Sequence, residues 1–88
     1  MEKLYPNEPP YTPSEKDAKN IDNNFVYHPP IDHQMGRYNF LRENAKEFAK
    51  LLTTLCPASR ELSLALTKLE EAVFWANASI ARNEKQTL

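Results

Sequence analysis

The sequence predicts an all-α fold: an antiparallel helical hairpin preceded by an irregular, Pro-rich N-terminal arm and assembled into a homo-oligomer. Three observations lead there. Six of the seven prolines lie between Pro6 and Pro30, so the opening segment is extended or irregular. Beyond it, apolar residues recur at helical spacing and are interrupted once, at Cys56-Pro57. The second helical stretch carries apolar residues on two opposite faces, and a single partner helix covers only one of them.

The elements follow in order. Residues 1–24 read as a Pro-rich N-terminal extension and residues 25–88 as the hairpin domain. Tyr5, Tyr11, Phe25, Val26 and Tyr27 are too many large apolar groups for a purely solvated tail. Residues 1–20 are expected to be mobile or draped over a neighbour, and residues 24–30 to form an ordered arm. Ser14 offers a cap for one helical turn through Lys19.

The first long helix is expected over about 30–55, with Pro30 at its first position and Asp32 at its positive end. Its predicted buried stripe is Met35, Tyr38, Leu41 (or Arg42), Ala45, Phe48, Leu52 and Leu55, with Arg37, Glu43, Lys46, Glu47 and Lys50 outside. Gly36, the only glycine, has two readings. Either it is a weak spot costing about 1 kcal/mol relative to Ala, or it marks a close approach by a ligand or another chain.

Pro57 ends this helix, because the residue before a proline is pushed out of the helical region. Ser59 is the expected N-cap of the second helix, with Glu61 in its first turn. That helix is expected over about 59–83, closing with Asn83 in a left-handed conformation and residues 84–88 fraying. The short link makes the helices antiparallel neighbours, each about 35 Å long at 1.5 Å per residue.

Leu62, Leu66, Leu69, Val73, Ala76 and Ile80 share the inner face of the second helix. Leu64, Phe74, Trp75 and Ala78 fall on a second face, large enough that burying one such side chain stabilises by about 1.5–3 kcal/mol. Either a further chain covers this face or the N-terminal segment shields it. Length favours association, since a chain of 88 residues buries too little surface to be robust unaided. Cys56 is the only cysteine, which excludes an intrachain disulfide. His28, His33 and Cys56 lack the clustered spacing of a zinc site, so no metal and no cofactor is expected.

A formal charge of −1 argues against binding of nucleic-acid polymers but not of a small anion held by one or two arginines. No apolar run approaches a membrane span and the first residues do not open a secretory signal, so the expected location is the cytosol. Phosphate loops, nucleophile elbows and metalloprotease motifs are missing, and the adjacent Glu70 and Glu71 diverge by about 100° on a helix. The chain is expected not to be an enzyme.

What remains is a cluster of aromatic, polar and cationic groups. Phe25, Tyr27 and His28 lead into the first helix, which then presents Gln34, Arg37, Tyr38 and Arg42. Gln34, Tyr38 and Arg42 are spaced by four and line one edge. Aromatic rings stack on bases and an Arg fork pairs with phosphate oxygens. The plainer alternative is that Tyr38 packs inside the hairpin and Arg42 pairs with Glu43 or Glu47.

The run Phe25-x-Tyr27-His28-x-Pro30, then Gln34, Tyr38 and Leu41-Arg42, followed by the stretch from Cys56-Pro57-x-Ser59-Arg60-Glu61 through Leu69-Glu70-Glu71-Ala72-x-x-Trp75-Ala76-Asn77-Ala78-x-Ile80-Ala81-Arg82, resembles small phage proteins of the anti-CBASS sponge family. That family shares a helical-hairpin domain with some anti-Thoeris sponges. The resemblance implies a compact homohexamer that sequesters cyclic oligonucleotide messengers, cyclic dinucleotides and in some members cyclic trinucleotides, without cleaving them. It acts in the cytoplasm of the infected bacterium and starves the immune effector that the messenger would activate. The family's dinucleotide pocket joins two protomers. It uses an aromatic residue just before the long helix and a basic residue fifteen positions later, a spacing matched here by Tyr27 and Arg42. Arg42 stands where the family has Lys, which keeps the charge and changes the geometry. Some members hold cyclic trinucleotides in a second pocket at a junction of several protomers; Asn77 and Arg82, late in the second helix, are either candidates for such a site or interface and capping groups. The same hairpin also serves sponges of cyclic ADP-ribose isomers, and a helical protein-interaction module is the alternative without a small ligand.

Overall fold

The computed structural model describes residues 9–84, so expectations for Tyr5 and for residues 85–88 lie outside the described residues. Three α-helices and no strand occur among these residues: α1 Glu15–Asn24, α2 Gln34–Leu55 and α3 Arg60–Asn83. The start of α2 and the end of α3 meet through Gln34, Arg37 and Glu84, which makes α2 and α3 an antiparallel hairpin.

The turn between them forms as its residues dictate. Cys56 is already extended (φ −122°, ψ 140°), and its N–H bonds back to the Leu52 carbonyl at 3.0 Å. Ser59 caps α3, its hydroxyl accepting from the Leu62 N–H at 3.0 Å. Cys56 itself is exposed at this tip.

Both outer ends depart from expectation. α2 begins at Gln34 rather than near Pro30. Asp32 takes a left-handed φ of 48°, a conformation that Asp tolerates, and a turn closes from the Gln34 N–H to the Ile31 carbonyl at 2.9 Å. The chain therefore bends before the helix can start. At the other end Asn83 is helical, not left-handed, and donates its side-chain amide to the Ser79 carbonyl at 2.9 Å. Glu84 does not fray, because Arg37 and Gln34 hold its carboxylate.

α1 is also more than the single turn expected in an irregular arm. Ser14 caps it, accepting from the Asp17 N–H at 3.0 Å, and the helix then runs for ten residues. Ile21 is its only large apolar side chain and is 50 % exposed.

The seam of the hairpin is narrow. On α3 the expected residues Leu62, Leu66, Leu69, Val73, Ala76 and Ile80 are all half-buried. On α2 the half-buried residues are Tyr38, Leu41, Ala45, Ala49 and Leu52, with Gln34 buried. Met35, Phe48 and Leu55, expected inside, are 57 %, 49 % and 72 % exposed. At 100° per residue these three lie about 60–80° from Ala45, whereas the covered residues lie within about 40°. One partner helix does not reach that far round. Phe40, Phe48, Leu51 and Leu55 thus form an uncovered apolar flank of α2.

The second face of α3 divides. Ala78 is covered by the arm before α2, while Leu64, Phe74 and Trp75 remain exposed among the described residues. No apolar side chain of the described residues is fully buried. Gly36 faces open space, with nothing within 4 Å of where a Cβ would stand, so within one chain no close approach requires it.

Candidate functional site

The arm between α1 and α2 lies against the last turns of α3 and is fastened at two points. At the first, the Asn23 side-chain amide donates to the Arg82 carbonyl at 3.0 Å, and the His28 ring Nε2 donates to the Asn23 carbonyl at 2.8 Å. At the second, Gln34 uses both ends of its amide. Its oxygen accepts from the Ile31 N–H at 3.0 Å and its nitrogen donates to Glu84 Oε1 at 2.9 Å. Gln34 is only 4 % exposed, and its hydrogen bonds explain how a polar group is tolerated there.

Arg37 completes the second fastening. Its guanidinium forms a two-pronged pair with the Glu84 carboxylate, with Nη2 to Oε1 at 2.7 Å and Nη1 to Oε2. The hydrogen bonds from Arg37 and Gln34 hold the Glu84 carboxyl down at about 2, well below its ordinary value. The same pair raises the Arg37 pKa. Arg37 is therefore engaged with α3 rather than presented to a ligand.

Between the two fastenings the arm, α2 and α3 border a shallow, open groove of about 410 Å³. Tyr27, His28, Tyr38, Arg42, Asn77 and Arg82 line it. Six of the nine residues singled out in the sequence thus meet in one place, while Phe25, Gln34 and Arg37 do not line it. Asn77 and Arg82, assigned there to a second site, face the same groove as Tyr27 and Arg42 within one protomer. Gln34 lies outside this groove, for the reason just given. Asn24, Val26, Ala78 and Ala81 complete the lining. Nothing in the sequence marks them as groove residues, because their place there depends on how the arm folds back.

The groove's electrostatics are unbalanced. Arg42 donates to Asn39 Oδ1 at 2.7 Å and not to Glu43 or Glu47. Neither the Arg42 nor the Arg82 guanidinium has a carboxylate partner among the described residues, whereas Arg37, Lys19, Lys50 and Lys68 do. Asn77 Oδ1 is buried without a hydrogen-bond donor among them. Such an acceptor costs about 1–3 kcal/mol unless something pairs with it. Tyr27 is 79 % exposed, with ring surface available for stacking. Two unneutralised guanidiniums, two tyrosine rings and an unfilled acceptor suit an anionic ligand carrying an N–H donor and a flat ring.

Beside this groove, Ala45, Ala49, Leu66, Leu69, Val73 and Phe74 floor a larger apolar depression of about 700 Å³, with Arg42 and Asn77 on the border of both. Among the described residues no cluster of His, Cys, Asp and Glu is arranged to hold a metal. No helix there is long and apolar enough to cross a membrane.

The family model of the Acb2/Tad1 hairpin domain matches residues 17–81, which takes in most of α1, the arm, all of α2 and nearly all of α3. Neither the curated proteins nor the solved structures contain a match to the chain. The match extends over the elements that build the groove, and the chain belongs to the Acb2/Tad1 hairpin-domain family, the anti-CBASS and anti-Thoeris sponges of cyclic nucleotide signals.

Proposed function

We propose that the chain sequesters cyclic dinucleotides, and with them cyclic trinucleotides, in the groove beneath Tyr27, and releases them chemically intact. The observation that carries this reading is the meeting of Tyr27 and Arg42 in one groove with His28, Tyr38, Asn77 and Arg82. Tyr27 stacks on a base and Arg42 pairs with a phosphate. Asn77 Oδ1 accepts from an exocyclic amine of the base, satisfying an acceptor that has no donor among the described residues.

The protein works as a homohexamer in the cytoplasm of the infected bacterium and blocks CBASS signalling by lowering the free messenger. A cyclic dinucleotide has two bases and two phosphates related by approximate twofold symmetry, so a twofold junction presents one Tyr27 and one Arg42 to each half. It is not an enzyme, since sequestration needs no bond broken. Cyclic ADP-ribose isomers are the second reading, because the matched hairpin domain belongs to anti-Thoeris sponges as well. These ligands also combine phosphates with an adenine ring.

A thermal-shift panel of cyclic di- and trinucleotides and cyclic ADP-ribose isomers tests the proposal, with the denatured complex analysed for intact ligand. Binding to the native state alone raises the melting temperature. A shift of several degrees with unmodified ligand recovered is expected for a cyclic dinucleotide. A shift confined to cyclic ADP-ribose isomers selects the second reading, and no shift with any of them removes both.

A further inference from the structure

α1 is solvated along almost its whole length. Among Glu15–Asn24 every residue is exposed except Asn23, which is half-buried. Asn23 also makes the only side-chain hydrogen bonds shown between α1 and the rest of the described chain, apart from the Ser14 cap and a solvent-exposed ion pair within the helix. Those bonds run in two directions. The side-chain amide reaches the Arg82 carbonyl, 59 positions away in sequence, and the main-chain carbonyl takes the His28 ring N–H. One residue thereby ties the last turn of α3 to the arm on either side of the groove. Arg82 and His28 line that groove themselves, and Tyr27 is His28's immediate neighbour.

We infer that Asn23 is a positioning residue for the ligand groove: it fixes the arm that carries Tyr27 and His28 at a set distance from Arg82, so that α1 belongs to the binding machinery through this single side chain. The inference rests on the groove being the ligand site, as proposed above. Asn is suited to the role because it supplies an N–H₂ donor for a helix-end carbonyl that has no intrahelical partner. Without the bond the arm keeps its second fastening, at Gln34 and Glu84, but gains freedom at the end bearing the aromatic ring. A ligand must then order that segment as it binds, and affinity falls.

The test compares Asn23→Asp, which keeps the size and loses the donor, with Asn23→Ala and with Lys19→Ala as a control on the exposed side of α1. Two readouts are taken on the full chain: cyclic dinucleotide affinity, and amide hydrogen exchange of residues 26–28 without ligand. Both Asn23 variants are expected to bind about 5- to 10-fold more weakly, the effect of losing one hydrogen bond. Exchange at 26–28 is expected to accelerate, while exchange in α2 stays as in the parent chain. Lys19→Ala should match the parent in everything. Parent-like affinity in Asn23→Asp overturns the inference, and so does unchanged exchange at 26–28, which reads the arm whether or not any nucleotide binds. A parent chain that binds no cyclic nucleotide removes the functional reading instead, and leaves the exchange result to decide whether Asn23 holds the arm.

Discussion

Tyr27 and Arg42 carry the sharpest expectations because neither does visible structural work. Tyr27 is mostly exposed and Arg42 holds only the nearby Asn39. Tyr27→Ala should weaken cyclic dinucleotide binding by the worth of one base stack, about 1–3 kcal/mol, with the oligomer unchanged on gel filtration. Arg42→Ala should do at least as much, since a guanidinium facing a phosphate loses a charge-assisted, two-pronged bond. Titration calorimetry on both variants checks this, and parent-like affinity in either removes that residue from the site. Gln34 teaches the opposite lesson. Its spacing from Tyr38 and Arg42 placed it with the ligand groups, yet both ends of its amide are engaged, the oxygen with Ile31 and the nitrogen with Glu84. Spacing along a helix identifies an edge but not what the next segment does with it.

At the scale of elements, α3 was the most legible part of the chain. Its Ser59 cap, its inner stripe and its uncovered Phe74 and Trp75 all follow from period and capping chemistry. Ser59→Ala should lower stability by about 1 kcal/mol, the usual effect of losing an N-cap, read as a lower urea midpoint with an unchanged slope. α2 was legible in existence, end point and covered face, where Tyr38, Leu41, Ala45 and Leu52 lie as expected, but not in its start or in how narrow that face is. Its start is set by the left-handed Asp32, and the width of its covered face by how far α3 reaches, and neither is a local property. The groove was legible as a set of residues and not as one place, because the arm's return onto α3 depends on Asn23 and Glu84, partners about fifty to sixty positions away. The Glu84 fastening predicts an acid limit. Its folded pKa of about 2 lies below the ordinary 4.5, so its contribution is complete above about 4.5 and disappears as pH falls through 2. Glu84→Gln should melt below the parent at pH 6, with the difference closing progressively between pH 4.5 and 2 in calorimetric scans.

For the whole molecule the decisive quantity is surface. The chain exposes 7899 Å², whereas a compact monomer of this mass exposes about 5300 Å². Its radius of gyration is 18.8 Å, against about 12 Å for a compact domain of this length. With no fully buried apolar side chain among the described residues, and separate flanks on α2 and α3 that those residues leave uncovered, a single protomer has an unfinished core, which supports the proposed assembly. Placing a carboxylate on the α3 flank, by Trp75→Glu or Phe74→Glu, should shift the light-scattering mass toward smaller species and lower the melting temperature. A parent-sized oligomer in both variants would show that this flank is not where protomers meet. Cys56 gives these experiments a practical handle. It is the sole thiol, exposed at the tip of the hairpin, and the long axis of α2 separates it from the groove by about 20–27 Å. A maleimide dye placed there leaves the nucleotide contacts untouched, and donor- and acceptor-labelled chains mixed together would report subunit exchange by energy transfer while ligand is titrated in the same cuvette.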